Sequence, residues 1–498
     1  MRARYLAGYA VAVFLSVSSV AAATADSRFL EAVKNKDSKT AYSLLAHTGH
    51  LEVNVADAQG MTALLWAAHW DDLDMVKCLI TARANVKAAN RFGSTPLHEA
   101  STFGDAPMME ALLKAGADPN AIRGEGDTPL MVAARSGVPD AVALLLAHGA
   151  KVDARDGWYG ETPLMLAVNQ NYSDVAKILI DHGADVNAAS TTFDFPWRAG
   201  PDATRPFTPP EGGFTPLMFA ARQDAIESGR LLIASGADLE AMEPSYGYTP
   251  LLTAILNDNF DFAKMLVEKG AAVDDGDLAL VEIMRNGPAV NDPGDAHPLV
   301  VRPAGSLELM KLLIAKGAPL DQKFVRRIIF NPNGDVPGNA TALSVAASYV
   351  DVAAMQLLIE SGAQPVPERN GMTPLMRAVQ QIGTRVMDRP VDGATYMEAV
   401  QLCLNAGVDV NAATTDGNTA LHYAAGAGRD RIVQFLVDHG ADVNAKTKKG
   451  RTPLDWAQGK RPGIDLGIGD REEGVPHDTT IALLQNLMAA KAATQNRQ

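Results

Sequence analysis

Thr-Pro-Leu or Thr-Ala-Leu recurs ten times in this chain of 498 residues, with Thr at 62, 95, 128, 162, 215, 249, 341, 373, 419 and 452. The intervals are 33, 33, 34, 53, 34, 92, 32, 46 and 33 residues. A second marker, Gly followed by Ala or Val, recurs in fixed phase with Gly at 116, 149, 183, 236, 270, 317, 362, 407 and 440. It is usually followed by Asp-Val-Asn-Ala or a relative of it. Two markers in one phase define a unit of about 33 residues, so the chain is an array of similar supersecondary pieces and not three ordinary domains.

Residues 128–160 show how one unit folds. Thr128 accepts a bond from a free amide of the first helical turn, and Pro129 at the first helical position loses nothing by lacking its own N–H. That starts a first helix within the stretch from Thr128 to Gly137. Asp140–His148 forms a second helix, and Gly149 supplies the left-handed residue that closes it. The segment from Ala150 to Gly160 then runs out and back as a hairpin-like finger. The Leu-rich face of the second helix must be covered by the next unit, so one unit alone is unstable.

Gly93-Ser94-Thr95-Pro96-Leu97-His98-Glu99-Ala100 and Gly417-Asn418-Thr419-Ala420-Leu421-His422-Tyr423-Ala424-Ala425 resemble the ankyrin repeat motif. The resemblance spans residues 28–490 and implies an all-α solenoid of about twelve helix-turn-helix units with β-hairpin-like fingers, elongated and curved. Residues 28–59 are expected to form an N-terminal cap, 60–449 the repeats, 450–490 a C-terminal cap and 491–498 a disordered tail. Insertions fall at 188–212 and 321–339, in finger phase, and at 286–305, 381–395 and 459–478, between the two helices of a unit. The resemblance implies a structural hydrogen bond near the helix start for His98 and His422. It also implies that fingers and the concave helix face contact partners.

The N-terminus reads as a secretory signal peptide over residues 1–23: Arg2 and Arg4, an uncharged stretch from Tyr5 to Val20, then Ala21-Ala22-Ala23-Thr24-Ala25 with two small-residue cleavage sites. Export to a periplasmic or secreted location is therefore expected, with no membrane span after cleavage. Exported proteins use disulfides, yet there are only Cys78 and Cys403, eight units apart. Both are read as small buried hydrophobes, too far apart to bond within one chain. With Lys+Arg 44 against Asp+Glu 58 the net charge is −14. That excludes non-specific nucleic-acid binding, which needs a basic face to displace counterions.

Catalytic and metal motifs are absent: no His-Glu-x-x-His, Gly-x-Ser-x-Gly, phosphate-cradling loop or Cys-x-x-Cys. His148, His182 and His439 each precede the closing Gly of a second helix. His47 and His50 lack a completing ligand set. The Gly-rich acidic stretch 463–470 fits no EF-hand spacing, so no metal or cofactor is expected.

Two features favour binding. The insertion at 188–212 carries Phe193, Phe195, Trp197, Arg198 and Phe207 among prolines, the residue types that make interface hot spots; packing back onto the solenoid is the competing reading. The residue before the Gly that opens each unit is Phe92, Tyr159 and Tyr246 in three units, with Trp158 and Tyr248 adjacent, which makes that row of finger tips aromatic. Trp66, Trp70 and Trp456 lie in or beside first helices and read as packing residues. The whole describes a non-enzymatic, monomeric scaffold whose concave finger side binds a protein with a basic patch. A chaperone-like or inhibitory subunit of one exported enzyme, and a hydrolase or metal-dependent enzyme with its site in the insertions, are the alternatives.

Overall fold

Each Thr-x-Leu begins a helix for a local reason. Thr62, Thr128, Thr162 and Thr215 take extended backbone, and their hydroxyls accept the amide hydrogen three residues on. At Thr95 and Thr419 a histidine completes the cap. His98 Nδ1 accepts from the Thr95 amide (3.2 Å), while its Nε2 donates to the Asp127 carbonyl of the next unit at 3.1 Å. His422 repeats this with Thr419 (3.2 Å) and Arg451 (3.1 Å). Both imidazoles are thus neutral, with the proton on Nε2, and burial pushes them below the usual histidine range.

In the computed structural model the described residues are 25–47, 51–124, 126–192, 212–244, 247–273, 279–280, 304–323, 340–380, 393–460 and 476–495. They fall in two units, Met1–Pro250 and Leu251–Gln498. The first unit holds α1 (25–34), α2 (Ser38–His47), α3 (Ala63–His69), α4 (Leu73–Thr81), α5 (Pro96–Phe103) and α6 (Ala106–Lys114). It continues with α7 (Pro129–Ser136), α8 (Pro139–Ala147), α9 (Pro163–Asn169), α10 (Ser173–Asp181), α11 (Pro216–Arg222) and α12 (Ile226–Ala234). First helices stack on first helices, α3 on α5, α5 on α7, α7 on α9 and α9 on α11; second helices stack likewise from α4 to α12. The core lies between these two rows. Met75, Val76 and Leu79 of α4, and Val175, Ala176 and Leu179 of α10, are buried at helical spacing.

Successive units are joined by the Asn or Asp of the Asp-Val-Asn-Ala stretch. Asn120 Oδ1 accepts from the Lys151 amide (2.8 Å) while its Nδ2 donates to the Gly149 carbonyl (2.9 Å), satisfying two groups that the end of α8 leaves open. Asn187 does the same for Asp238 (2.8 Å) and Gly236 (3.1 Å). The insertion after Ala188 therefore leaves the stacking of α10 on α12 intact.

The second unit holds Pro250–Leu256, Phe260–Glu268, Ser306–Ala315, Ala342–Ser348, Val352–Glu360, Pro374–Gln380, Gly393–Asn405, Ala420–Gly426, Asp430–Asp438, Pro453–Ala457 and Asp478–Gln495. Asn411 staples it as Asn187 does the first, to the Asp442 amide (2.7 Å) and the Gly440 carbonyl (2.9 Å). A buried fork joins Arg377 on Pro374–Gln380 to Glu368 in the preceding finger, with Nε to Oε1 at 2.6 Å and Nη2 to Oε2.

Several boundaries differ from expectation. The last helix continues to Gln495 where a disordered tail from 491 was expected, because its Ala-rich sequence extends helix readily and Lys491 Nζ reaches Asp442 at 2.9 Å. The insertion expected over 381–395 ends early, since helix begins at Gly393. The hairpin-like fingers carry only single antiparallel bridges among the described residues, Ala56 to Thr62 and Ala413 to Thr419. Cys403 is buried and its thiol is pushed up to about 12 by burial, but Cys78 is half-exposed on α4; both are free. Residues 1–23, 286–303, 324–339 and 463–470, and His50, lie outside the described residues.

Candidate finger-tip interface

Each finger closes at its neck and then leans on the next. The neck is a backbone bond, Asn90 N–H to Ser94 O (3.0 Å) in one finger and Arg123 N–H to Asp127 O (3.1 Å) in the following one. Between fingers, Arg91 N–H donates to Gln59 O (3.0 Å), Gly124 N–H to Phe92 O (2.7 Å) and Thr191 N–H to Tyr159 O (2.7 Å). The residues before the unit-opening glycines are thereby held side by side. Contact is close enough to dictate glycine: a Cβ at Gly93 (φ +80°) would lie 2.9 Å from Arg123 Cα.

This spacing leaves the tip side chains in solvent. Phe92 is 60% exposed, with the Arg91 guanidinium 4.6 Å from its ring centre. Trp158 and Tyr159 are each more than half exposed. Their finger is one residue longer than the two before it, and Asp156 Oδ1 shapes it by accepting from the amides of Tyr159 (2.9 Å) and Glu161 (3.2 Å). Tyr248 departs from expectation. It is half-buried at the neck, where its amide donates to Glu243 Oε1 (3.1 Å) and its carbonyl accepts from the Glu243 amide (3.1 Å), so it belongs to the finger's base and not to the exposed row. Phe193, Phe195, Trp197, Arg198, Phe207 and Tyr246 lie outside the described residues. The flanks of the 188–212 insertion are described: Ser190 N–H donates to Phe214 O (2.9 Å), a finger neck like the others, so the insertion departs from the finger that leans on Tyr159.

Ile122, 68% exposed, and Met242, more than half exposed, also stand on the fingers. The sequence reading did not single them out. The signal was the register: both occupy the position just before the neck, where Ala56, Ala89 and Ala189 stand in other fingers.

Behind the fingers, the first-helix face carries charges paired with one another. Asp127 accepts from Arg123 (2.7 Å) and Arg135 (3.2 Å); burial works against its charge, but the two arginines outweigh it and hold its carboxyl below the usual range. Glu99 meets His69 at 3.0 Å and Ser94 at 2.8 Å. Burial, helped by nearby Asp156, raises the Glu161 carboxyl against the pull of Arg222 and Arg135. Arg222 donates to Asn169 (3.0 Å) and lies over Phe219 (4.9 Å). Trp66 and Trp70 stack at 5.8 Å, and Trp456 is buried against His422 (5.5 Å) and Tyr423 (5.4 Å). Among the described residues no three His, Cys, Asp or Glu side chains converge on a metal-sized site, and no helix is long and apolar enough to cross a membrane.

Stacked helix pairs whose linked fingers present a row of side chains define a repeat scaffold of the protein–protein interaction class. A family model described as ankyrin repeats (3 copies) matches residues 29–123, 104–190, 199–277 and 392–464. The match covers more than half of the sequence, and the chain belongs to the ankyrin repeat family. It is similar to the ankyrin repeat and KH domain-containing protein mask-1 of Caenorhabditis elegans, with 27% identity over 169 residues. That stretch is 32% of this chain and 6% of the relative, so the chain matches only a small part of that protein's length.

Proposed function

We propose that the chain is a non-enzymatic, exported scaffold, periplasmic or secreted, that binds a protein partner through the finger tips of its first unit. The observation that carries this is the exposure of Phe92, Ile122, Trp158 and Tyr159 on fingers tied to their neighbours by backbone hydrogen bonds. Rigid aromatic anchors lose little entropy on docking, and fixed fingers present them in one arrangement. A partner with a basic patch fits the charge, since residues 1–250 carry 20 Lys and Arg against 29 Asp and Glu. The export reading rests on the basic, apolar and small-residue segments of residues 1–25.

Affinity capture from a periplasmic extract, followed by direct titration of the recovered protein, tests the surface. A Phe92→Ala/Trp158→Ala/Tyr159→Ala variant is expected to keep its helical circular dichroism and lose the partner by at least about tenfold in Kd, since hot-spot truncations cost about 1–2 kcal/mol or more. Undiminished binding by this variant would remove the finger tips from the interface.

A further inference from the structure

The connectors between first and second helices lie at the other end of the helix pair from the fingers, and in the first unit they share an unusual chemistry. After the first connector, residues 35–37, which carries Lys36, they are residues 70–74, 103–106, 136–140, 170–174 and 223–227, and none of these five contains Lys or Arg. Four bring carboxylates to the surface within four residues of an aromatic or apolar side chain: Asp71, Asp72 and Asp74 beside Trp70, Asp105 beside Phe103, Asp140 beside Val138, Asp174 beside Tyr172. Phe103 is 51% exposed, and Trp70 and Tyr172 are each more than a third exposed.

The connectors form a continuous strip. Val138 occupies the space over Gly104, where a Cβ would lie 2.5 Å from it, and the Tyr172 ring does the same over Gly137 at 2.6 Å. Asp71 and Asp105, on neighbouring connectors, lie close enough for their charges to interact, and burial followed by the charge of Asp105 raises the Asp71 carboxyl. At the N-terminal end the strip opens into a cavity of about 520 Å³ lined by Val33, Lys36, Trp70, Asp71, Asp74 and Met75 among others.

Helix capping explains part of this. Asp72 and Asp105 accept from the Met75 (2.9 Å) and Met108 (3.3 Å) amides at the starts of α4 and α6. It does not explain the exposed rings, nor Asp71, which sits in the turn with φ 58° and caps nothing. One neighbouring group shows what the surface accepts: Lys36, from the segment between α1 and α2, places its ammonium 4.1 Å from the Trp70 ring centre, at the cavity's edge. A cation over an indole face beside carboxylates is favourable on both counts.

We propose that the connector strip from Trp70 to Tyr172 is a second docking surface, whose occupant is a Lys- or Arg-rich segment of a partner protein, with one cationic side chain entering the Trp70 cavity in place of Lys36. The apolar stems of lysine or arginine would lie along Phe103 and Tyr172 while their heads meet the carboxylates. This surface stands apart from the finger tips and does not depend on them.

The test uses the intact mature chain and a short acetylated peptide of alternating Lys and Gly, followed by tryptophan fluorescence and calorimetry at low ionic strength, with the Glu and Gly counterpart as control. The Lys peptide is expected to bind and the Glu peptide not. Asp71→Asn/Asp74→Asn should weaken binding about fivefold to tenfold through the loss of two exposed charge pairs. Asn suits the left-handed backbone at residue 71, so this variant should fold. Lys36→Ala should tighten binding about threefold, because it vacates the indole face; a merely structural Lys36 would not produce a gain. The finger-tip variant Phe92→Ala/Trp158→Ala/Tyr159→Ala should bind the peptide as the parent does. No binding of the Lys peptide, equal binding by the parent, Asp71→Asn/Asp74→Asn and Lys36→Ala chains, or loss confined to the finger-tip variant would each overturn the proposal.

Discussion

Replacing Glu368 by Ala strands the Arg377 guanidinium. The side chains of Arg377 and Glu368 are 5% and 2% exposed, and the guanidinium donates to that carboxylate through both Nε and Nη2. Arginine cannot escape by losing its proton, so the variant must either hold an uncompensated buried charge or open the finger that carries residue 368. Two charge-assisted bonds at about 1.5–3 kcal/mol each, partly relieved by water entering the gap, give an expected loss of about 3–5 kcal/mol. Arg377→Met/Glu368→Leu should behave differently. It removes both charges and both desolvation costs, and is expected to lie within about 1 kcal/mol of the parent chain. Urea unfolding followed by circular dichroism reads the total, and Trp456, packed on Tyr423 in the next unit along, gives a local fluorescence signal in a chain whose other four tryptophans are replaced by Phe. Because repeat arrays unfold in stages, the local signal should move to lower urea while the first unit's transition stays in place. A Glu368→Ala loss below about 1 kcal/mol, or a double variant as damaged as the single one, would show that water already reaches the pair and that the burial argument is wrong.

Acid should destabilise the two repeats that carry a capping histidine. His98 and His422 have folded pKa values lowered by burial, so the unfolded chain binds more protons below its own value of about 6.5; this part of the stability is complete above that pH and is lost as pH falls through it. Between pH 7.5 and 5.5 each histidine should remove up to about 1.4 kcal/mol, measured as the change in urea midpoint that disappears in His98→Gln and His422→Gln; an unchanged pH dependence in those variants would refute it. Asn187→Ala should cost about 1–2 kcal/mol for its two inter-unit bonds and speed hydrogen exchange at the Asp238 amide, and unaltered exchange there would mean that packing alone holds α10 to α12.

Much of the architecture was legible in the sequence because it is local. Thr-Pro sets a helix start, a Gly with positive φ sets a helix end, and His98 three residues after Thr95 closes its own cap. Phe92, Trp158 and Tyr159 could be placed on finger tips from phase alone, since the described units of the first half repeat the same path. Tyr248 shows where phase fails. It stands two residues after Tyr246, which phase alone assigns to a tip, but a residue after the opening glycine returns to the neck, and there it is half-buried against Glu243. Ile122 and Met242 were missed for the opposite reason, since an apolar residue reads as core until the register puts it outside the neck bond.

By itself the sequence determined what depends on neighbours within a few residues: the repeat, and the caps and closures of its helices. Only the tertiary structure decided what depends on one unit lying against another: that Arg377 is matched by Glu368 from the finger before it, that Asn187 reaches across an insertion to Gly236 and Asp238, that Asp71 meets Asp105, and that Lys36 covers Trp70. The reason is range. A cap is fixed by backbone geometry within one turn of helix, whereas the burial and partner of a side chain are set by whatever the neighbouring unit places within a few ångströms of it.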